Sequence, residues 1–210
     1  MSTLCENIAE RLVEAILSGK LKPGTRLNES ELSRQLEVSR APIREALRQL
    51  QEQGLVVHHP RRGMFVVSLT EVNIEKINRL RVVLESEALL LCRANLNAQN
   101  ERKLLTQLEK MERAGAMSGL EAVRMDLAFH RAIWSQTDNE FLEKMLTSLT
   151  APLFAFSLIT KQKHEQMRMI LDSHRPLMTF IQGKTRKDQA RQVIYEHVSL
   201  RWGRWDLEKS

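Results

Sequence analysis

The stretch NESELSRQLEVSRAPIREALRQL, from Asn28 to Leu50, constrains the fold more than any other part of the chain. It holds two amphipathic segments with only a short break, EVS, between them. In the first, Asn28 is placed to cap a helix. Glu31, three residues on, completes a capping-box pattern, and Leu32 and Leu36 form the apolar stripe. In the second, Ser39 is a good N-cap and Pro42 falls in the first turn, where its missing N–H costs nothing. Ile43, Ala46, Leu47 and Leu50 give that helix an apolar face, and Gly54 ends it. Two short helices joined by so tight a turn describe a helix-turn-helix. The second helix opens with Arg40 and Arg44, although a helix N-terminus already carries partial positive charge. Cations at that end imply a use outside the helix. A recognition helix enters the major groove of DNA N-terminus first, where such side chains meet phosphates and base edges.

The flanking segments fit this reading. LCENIAERLVEAILSG places Leu4, Ile8, Leu12, Ala15 and Ile16 on one helical stripe with Gly19 as its stop. LKPGTRL then supplies a Pro-Gly turn. After the second helix, GLVVHHPRRGMFVVSL carries two short β-branched runs, Leu55–Val57 and Met64–Val67. Pro60, Arg61, Arg62 and Gly63 lie between them, a hairpin with a basic tip. The whole is a winged helix-turn-helix. Bulk charge adds little. The chain has a net charge of +6, but residues 1–68 hold ten Lys/Arg against eight Asp/Glu. The argument rests on where particular arginines sit.

Beyond Thr70 helical periodicity continues almost to the end, in six expected segments at about 71–95, 98–114, 118–136, 139–162, 163–182 and 185–206. Stripes such as Leu80, Leu84, Ala88 and Leu91 argue a bundle. The expected fold class is therefore mainly α: a winged helix-turn-helix over 1–68 and an antiparallel α-helical bundle over 69–210. No apolar run is long enough to span a bilayer and no basic-then-apolar leader opens the chain, which implies a cytoplasmic protein with no membrane partner. Cys5 and Cys92 lie far apart in unlike contexts and are expected to be free thiols. Trp202 and Trp205, three apart near the end, are expected to pack against a neighbour rather than to form a nucleic-acid patch.

Four residues of the second region carry chemistry. MDLAFHRAI puts Asp126 and His130 at i and i+4, on one helix face. LDSHRPL and IYEHVSL supply His174 and His197 from later segments. Imidazole nitrogens with one carboxylate suit a divalent ion such as Zn²⁺ or Ni²⁺. A lone helical histidine is more often an ordinary polar residue, and spacing alone does not bring the four together. If they do converge, a metal-dependent hydrolase is one alternative, but it also needs a general base. Leu127, Ala128 and Phe129 separate the first two residues and supply none. A purely structural metal in a dimerising domain is another.

The string from Ile16 to Val66, with its Pro-Gly turn, VSRAPIREAL, QGL and wing glycine, resembles the GntR family of bacterial transcription regulators. That resemblance implies a homodimer on a palindromic double-stranded operator. Arg40 and Arg44 would touch bases or phosphates, Ser30 and Ser39 phosphates, and the Arg61–Arg62–Gly63 tip would lie near the minor groove. The second region resembles the FadR C-terminal (FCD) domain in its six-helix VanR-like form. In metal-binding members an Asp and a His one turn apart join two later histidines, which implies one divalent ion per chain on Asp126, His130, His174 and His197. His164 and the His58–His59 pair fall outside that pattern. RLRVVLES resembles the domain's first helix and implies that Arg81 and Glu85 face the pocket, with Arg81 pairing to a small carboxylate effector.

Overall fold

The computed structural model describes residues 3–114, 119–159 and 173–203. Contacts gather them into two compact units. One contains residues 3–70 and 151–159, and the other contains residues 71–150 and those from 173 onward.

The first unit begins with α1 (Leu4–Leu17), closed at its start by a reciprocal Thr3–Glu6 capping box. Its stop is Ser18, with Gly19 following at φ +80°. Helices α2 (Glu29–Leu36) and α3 (Arg40–Glu52) follow as the helix-turn-helix. Asn28 caps α2, its Oδ1 accepting from the N–H groups of Ser30 at 2.9 Å and Glu31 at 3.3 Å. Ser39 occupies the N-cap position of α3 but makes no side-chain cap bond, so Pro42 and the turn geometry start that helix without it. The turn itself is tied by Ser33. Its carbonyl accepts from Val38 N–H at 3.1 Å, and its hydroxyl donates to the Val38 carbonyl. Glu37 lies in the left-handed region there, at φ 55°.

The wing is β2 (Val56–His59) and β3 (Gly63–Val66), paired antiparallel with His59 opposite Gly63. A third strand, β1 (Arg26–Leu27), pairs on the other edge of β3, giving the order β1-β3-β2. It is only two residues long, too short for periodicity to reveal. Ile16, Ile43, Ala46, Leu47, Leu50, Val66 and Val67 are wholly buried and form the core, to which Ala155 also belongs.

The second unit is helical. It contains α4 (Glu71–Ala94), α5 (Ala98–Ala114), α6 (Gly119–Trp134) and α7 (Glu140–Ile159), of which the part from Ala151 onward counts with the first unit. Then come α8 (Arg175–Ile181), a 3₁₀ turn (Lys187–Gln189) and α9 (Ala190–Trp202). Among the described residues, no helix is long and apolar enough to cross a membrane.

Two expectations change. Within the segment expected as one helix over 163–182, Ser173–His174 form a turn and α8 begins only at Arg175. Pro176 explains this start, because proline suits the first turn of a helix and clashes inside one. Residues 163–172, with His164, lie outside the described residues, as does Trp205. The buried face of α4 also differs from the apolar stripe. Leu80 is 53% exposed, whereas Asn78, Arg81 and Glu85 are buried. This helix turns a polar face inward, and the reason lies in what it meets there.

Candidate functional site

The residues of the first unit expected to face DNA are exposed. Ser30, Ser39, Arg40, Arg44, Arg61 and Arg62 all lie at the surface, and Gly63 is partly covered. Arg40 and Arg44 stand one turn apart at the start of α3. Arg44 is engaged: its Nη2 lies 3.0 Å from Glu29 Oε2 on α2. At the wing tip Arg61 adopts φ 65°, and Gly63 follows at φ 95°. The turn is closed by Arg62 N–H on the His59 carbonyl at 3.0 Å. The Arg62 guanidinium lies over the Phe65 ring, 5.5 Å from its centroid. Sequence reasoning missed Arg26, an exposed cation on β1 whose side chain runs beside Gly63. Only the pairing of β1 reveals it.

The second unit gathers the other predicted residues. Asp126 and His130 are on α6, His174 precedes α8 and His197 is on α9; all four are buried. His130 Nε2 lies 3.1 Å from His197 Nε2. His174 Nε2 lies 2.8 Å from Asp126 Oδ1, which is 3.4 Å from His130 Nε2. The three imidazoles can direct one nitrogen each to a common point, all within 4.8 Å of one another. Donor atoms at metal bond lengths of about 2.0–2.1 Å on a single ion stand roughly 3 Å apart, so the 3.1 Å between His130 and His197 and the 2.8 Å between His174 and Asp126 fit a shared cation.

The outer nitrogens are held as a metal site requires. His197 Nδ1 lies 2.9 Å from Ser173 Oγ. His130 Nδ1 lies 3.0 Å from Glu85 Oε2. With protons on those two nitrogens, the facing Nε2 atoms both present lone pairs, which repel unless a cation lies between them. Glu85 also takes Arg81 Nε on its other oxygen, at 2.6 Å. This chain of charges is the reason for the polar face of α4. Arg93, on the same helix, donates from Nη1 to the Thr185 carbonyl at 2.7 Å and stacks over Phe180, anchoring the end of α8.

Ionisation follows the same contacts. Burial alone would raise the Glu85 carboxyl, but Arg81 and His130 beside it bring it down to about 2. Burial disfavours the charged form of His130, yet Glu85 and Asp126 outweigh it and raise the imidazole. His197 is pushed well below its usual value, first by burial and then by the neighbouring cationic groups. Arg81 is thus not an idle cation awaiting a ligand, since Glu85 already engages it. His58 and His59 are exposed on β2, away from the cluster.

A helix-turn-helix with a cationic wing, on a chain whose helical unit encloses three histidines and a carboxylate, defines a winged-helix transcription regulator. The models of two families match: "Bacterial regulatory proteins, gntR family" over residues 4–66 and "FCD domain" over residues 76–200. The chain belongs to the GntR family of regulators and carries an FCD domain. It is 29% identical to the uncharacterized HTH-type transcriptional regulator YdhC of Bacillus subtilis, covering 90% of this chain and 85% of that one. It is 29% identical to the gluconate operon transcriptional repressor of the same organism, over 92% and 80% of the two chains. Among solved structures it is similar to Escherichia coli McbR/YncC, with a TM-score of 0.68 and 26% identity over 95% of each chain. The family and these relatives are transcription regulators rather than enzymes.

Proposed function

We propose that this regulator is a metabolite-responsive repressor. It binds a palindromic operator as a homodimer and leaves it when a small carboxylate binds at a metal in the helical unit. The domain division follows: residues 1–68 read DNA, and residues 69–210 hold the ion, the effector and the dimer contact. The observation that carries the reading is the buried convergence of Asp126, His130, His174 and His197. One Zn²⁺ or Ni²⁺ per chain would be held by these four, leaving room for one or two further donors. When bound, the ion supplies an electrophilic centre for a carboxylate oxygen. Arg81 supplies a guanidinium, which suits carboxylate recognition. Its pairing with Glu85 means that an incoming acid shares or replaces that partner.

The repressor sign is supported by the similar protein named as a transcriptional repressor. Helix α4 starts at Glu71, a few residues after β3 ends at Val66, so the link between wing and helical unit is short. An effector moves the DNA equilibrium only through its differential affinity for two arrangements, and a typical coupling changes operator affinity about 5- to 150-fold.

The test is an operator selection with purified protein, repeated with pools of carboxylic acids and with the metal removed. Release by an acid that requires the metal supports the reading. Release unaffected by chelation leaves the ion a structural role. By reciprocity, operator DNA must weaken effector binding by the same factor.

A further inference from the structure

The inward face of α4 holds one amide that the charge network engages only on its oxygen side. Asn78 has no exposed surface and stands one turn before Arg81. Its Oδ1 accepts from Arg81 Nη1 at 3.5 Å, while its Nδ2 is buried with no hydrogen-bond partner among the described residues. The orientation has a physical cause. A guanidinium offers only donors, so the amide turns its oxygen toward Arg81 and its two N–H groups away from it. Burying donors with nothing to receive them is costly, and a residue of similar size without donors would avoid that cost. The position is also specific. From Asn78 the contacts run to Arg81, then Glu85, then His130, whose Nε2 belongs to the histidine centre. Asn78 therefore ends a continuous polar strip that starts at the candidate ion site.

We propose that Asn78 is a specificity-determining contact, donating to a second acceptor oxygen of an acid whose carboxylate is held by the metal and Arg81. The inference rests on the carboxylate reading given above and narrows it. The acid carries a hydroxyl, carbonyl or second carboxylate beyond the first, and a plain alkanoate offers the amide no partner. A hydrogen-bonding site of this kind discriminates against the analogue that lacks the oxygen, by tenfold or more on the order of an unmet buried donor.

The experiment is calorimetry on the full-length Zn²⁺-loaded protein with four matched probes: butyrate, 2-hydroxybutyrate, 3-hydroxybutyrate and succinate. At least one oxygen-bearing acid is expected to bind about tenfold or more tightly than butyrate. Asn78→Ala closes that gap, bringing the affinity for the oxygen-bearing acid to that for butyrate in the same variant. Asn78→Leu, which fills the space left by alanine with neither a donor nor a charge, loses the gap as well, so a packing defect in the alanine variant is not mistaken for the effect. A gap that survives in both variants assigns the second oxygen to the metal or to Arg81 and overturns the role of Asn78. Wild-type protein that binds all four acids equally overturns it too, with the carboxylate reading intact. Binding of none of the acids removes that reading and this inference together.

Discussion

Replacing Glu85 by Gln tests whether the buried charge network stabilises the helical unit. The Glu85 side chain is 2% exposed and bridges Arg81 at 2.6 Å and His130 at 3.0 Å. Its carboxyl falls from 4.5 to about 2, a difference on the order of 3 kcal/mol in favour of the charged form. Removing one partner of a buried pair independently costs about 3–5 kcal/mol, because the other charge is left uncompensated. Glutamine has one acceptor oxygen for two partners. Metal-free Glu85→Gln is therefore expected to lose roughly 3–4 kcal/mol, or about 10 °C in the thermal midpoint followed by circular dichroism. The pH dependence carries a sign. A carboxyl whose folded value is depressed contributes stability above pH 4.5, lost as pH falls toward about 2. Glu85 also helps to raise His130, a contribution present below the usual histidine value and lost as pH rises through the raised one. The gap between wild type and variant should widen slightly from pH 8 to 6, then shrink below pH 4.5. A midpoint change under about 2 °C, or a gap that keeps growing to pH 4, would refute the reasoning.

The other expectations concern separate parts of the molecule. Arg40→Ala and Arg44→Ala should each lose specific operator binding, about 1–3 kcal/mol per bidentate base contact, with helical content unchanged; full affinity in gel-shift titrations of both removes α3 as the reader. Arg62→Ala should weaken all sequences alike and flatten the salt dependence by about one unit of slope, read from affinity against log salt. His174→Ala and His197→Ala should each empty the metal site by elemental analysis, and wild-type occupancy should fall as pH drops through about 6.5, since the ligands must be deprotonated. Gly54→Ala should unfold or strongly destabilise the first unit in urea titration. Gly54 sits at φ +74°, and an added Cβ would fall 2.3 Å from the Ala151 carbonyl carbon.

What the sequence revealed and what it hid divide along physical lines. The helix-turn-helix was legible because its signals are local. Asn28 caps, Pro42 starts and Gly54 stops within a few residues of where they act. The start of α8 was also legible in principle, since Pro176 marks a helix start rather than an interior. The phase of α4 was not. A stripe search assumes that apolar residues face inward, and this helix buries Asn78, Arg81 and Glu85 while Leu80 and Val83 are exposed. Spacing placed Asp126 and His130 on one face, but their meeting with His174 and His197 is a tertiary fact. Before the structure it rested on family resemblance alone. The Ser173–His197 contact had no signal in the sequence, because a serine beside a turn has many ordinary uses.

Arg61 has a consequence for how the wing trades rigidity against strain. A side chain at φ 65° costs on the order of 1–2 kcal/mol that glycine would avoid in the folded state. Glycine, however, would widen the range of conformations open to the unfolded tip. The arginine therefore exchanges enthalpic comfort in the native hairpin for a smaller loss of chain freedom on folding. It also presents a cation from a backbone with few alternative shapes. A wing built this way meets its partner with much of its ordering already done, so less of the contact energy is consumed in immobilising the loop. The strain is carried continuously by the free protein, and the same restriction of the tip acts twice, once on folding and again on encounter.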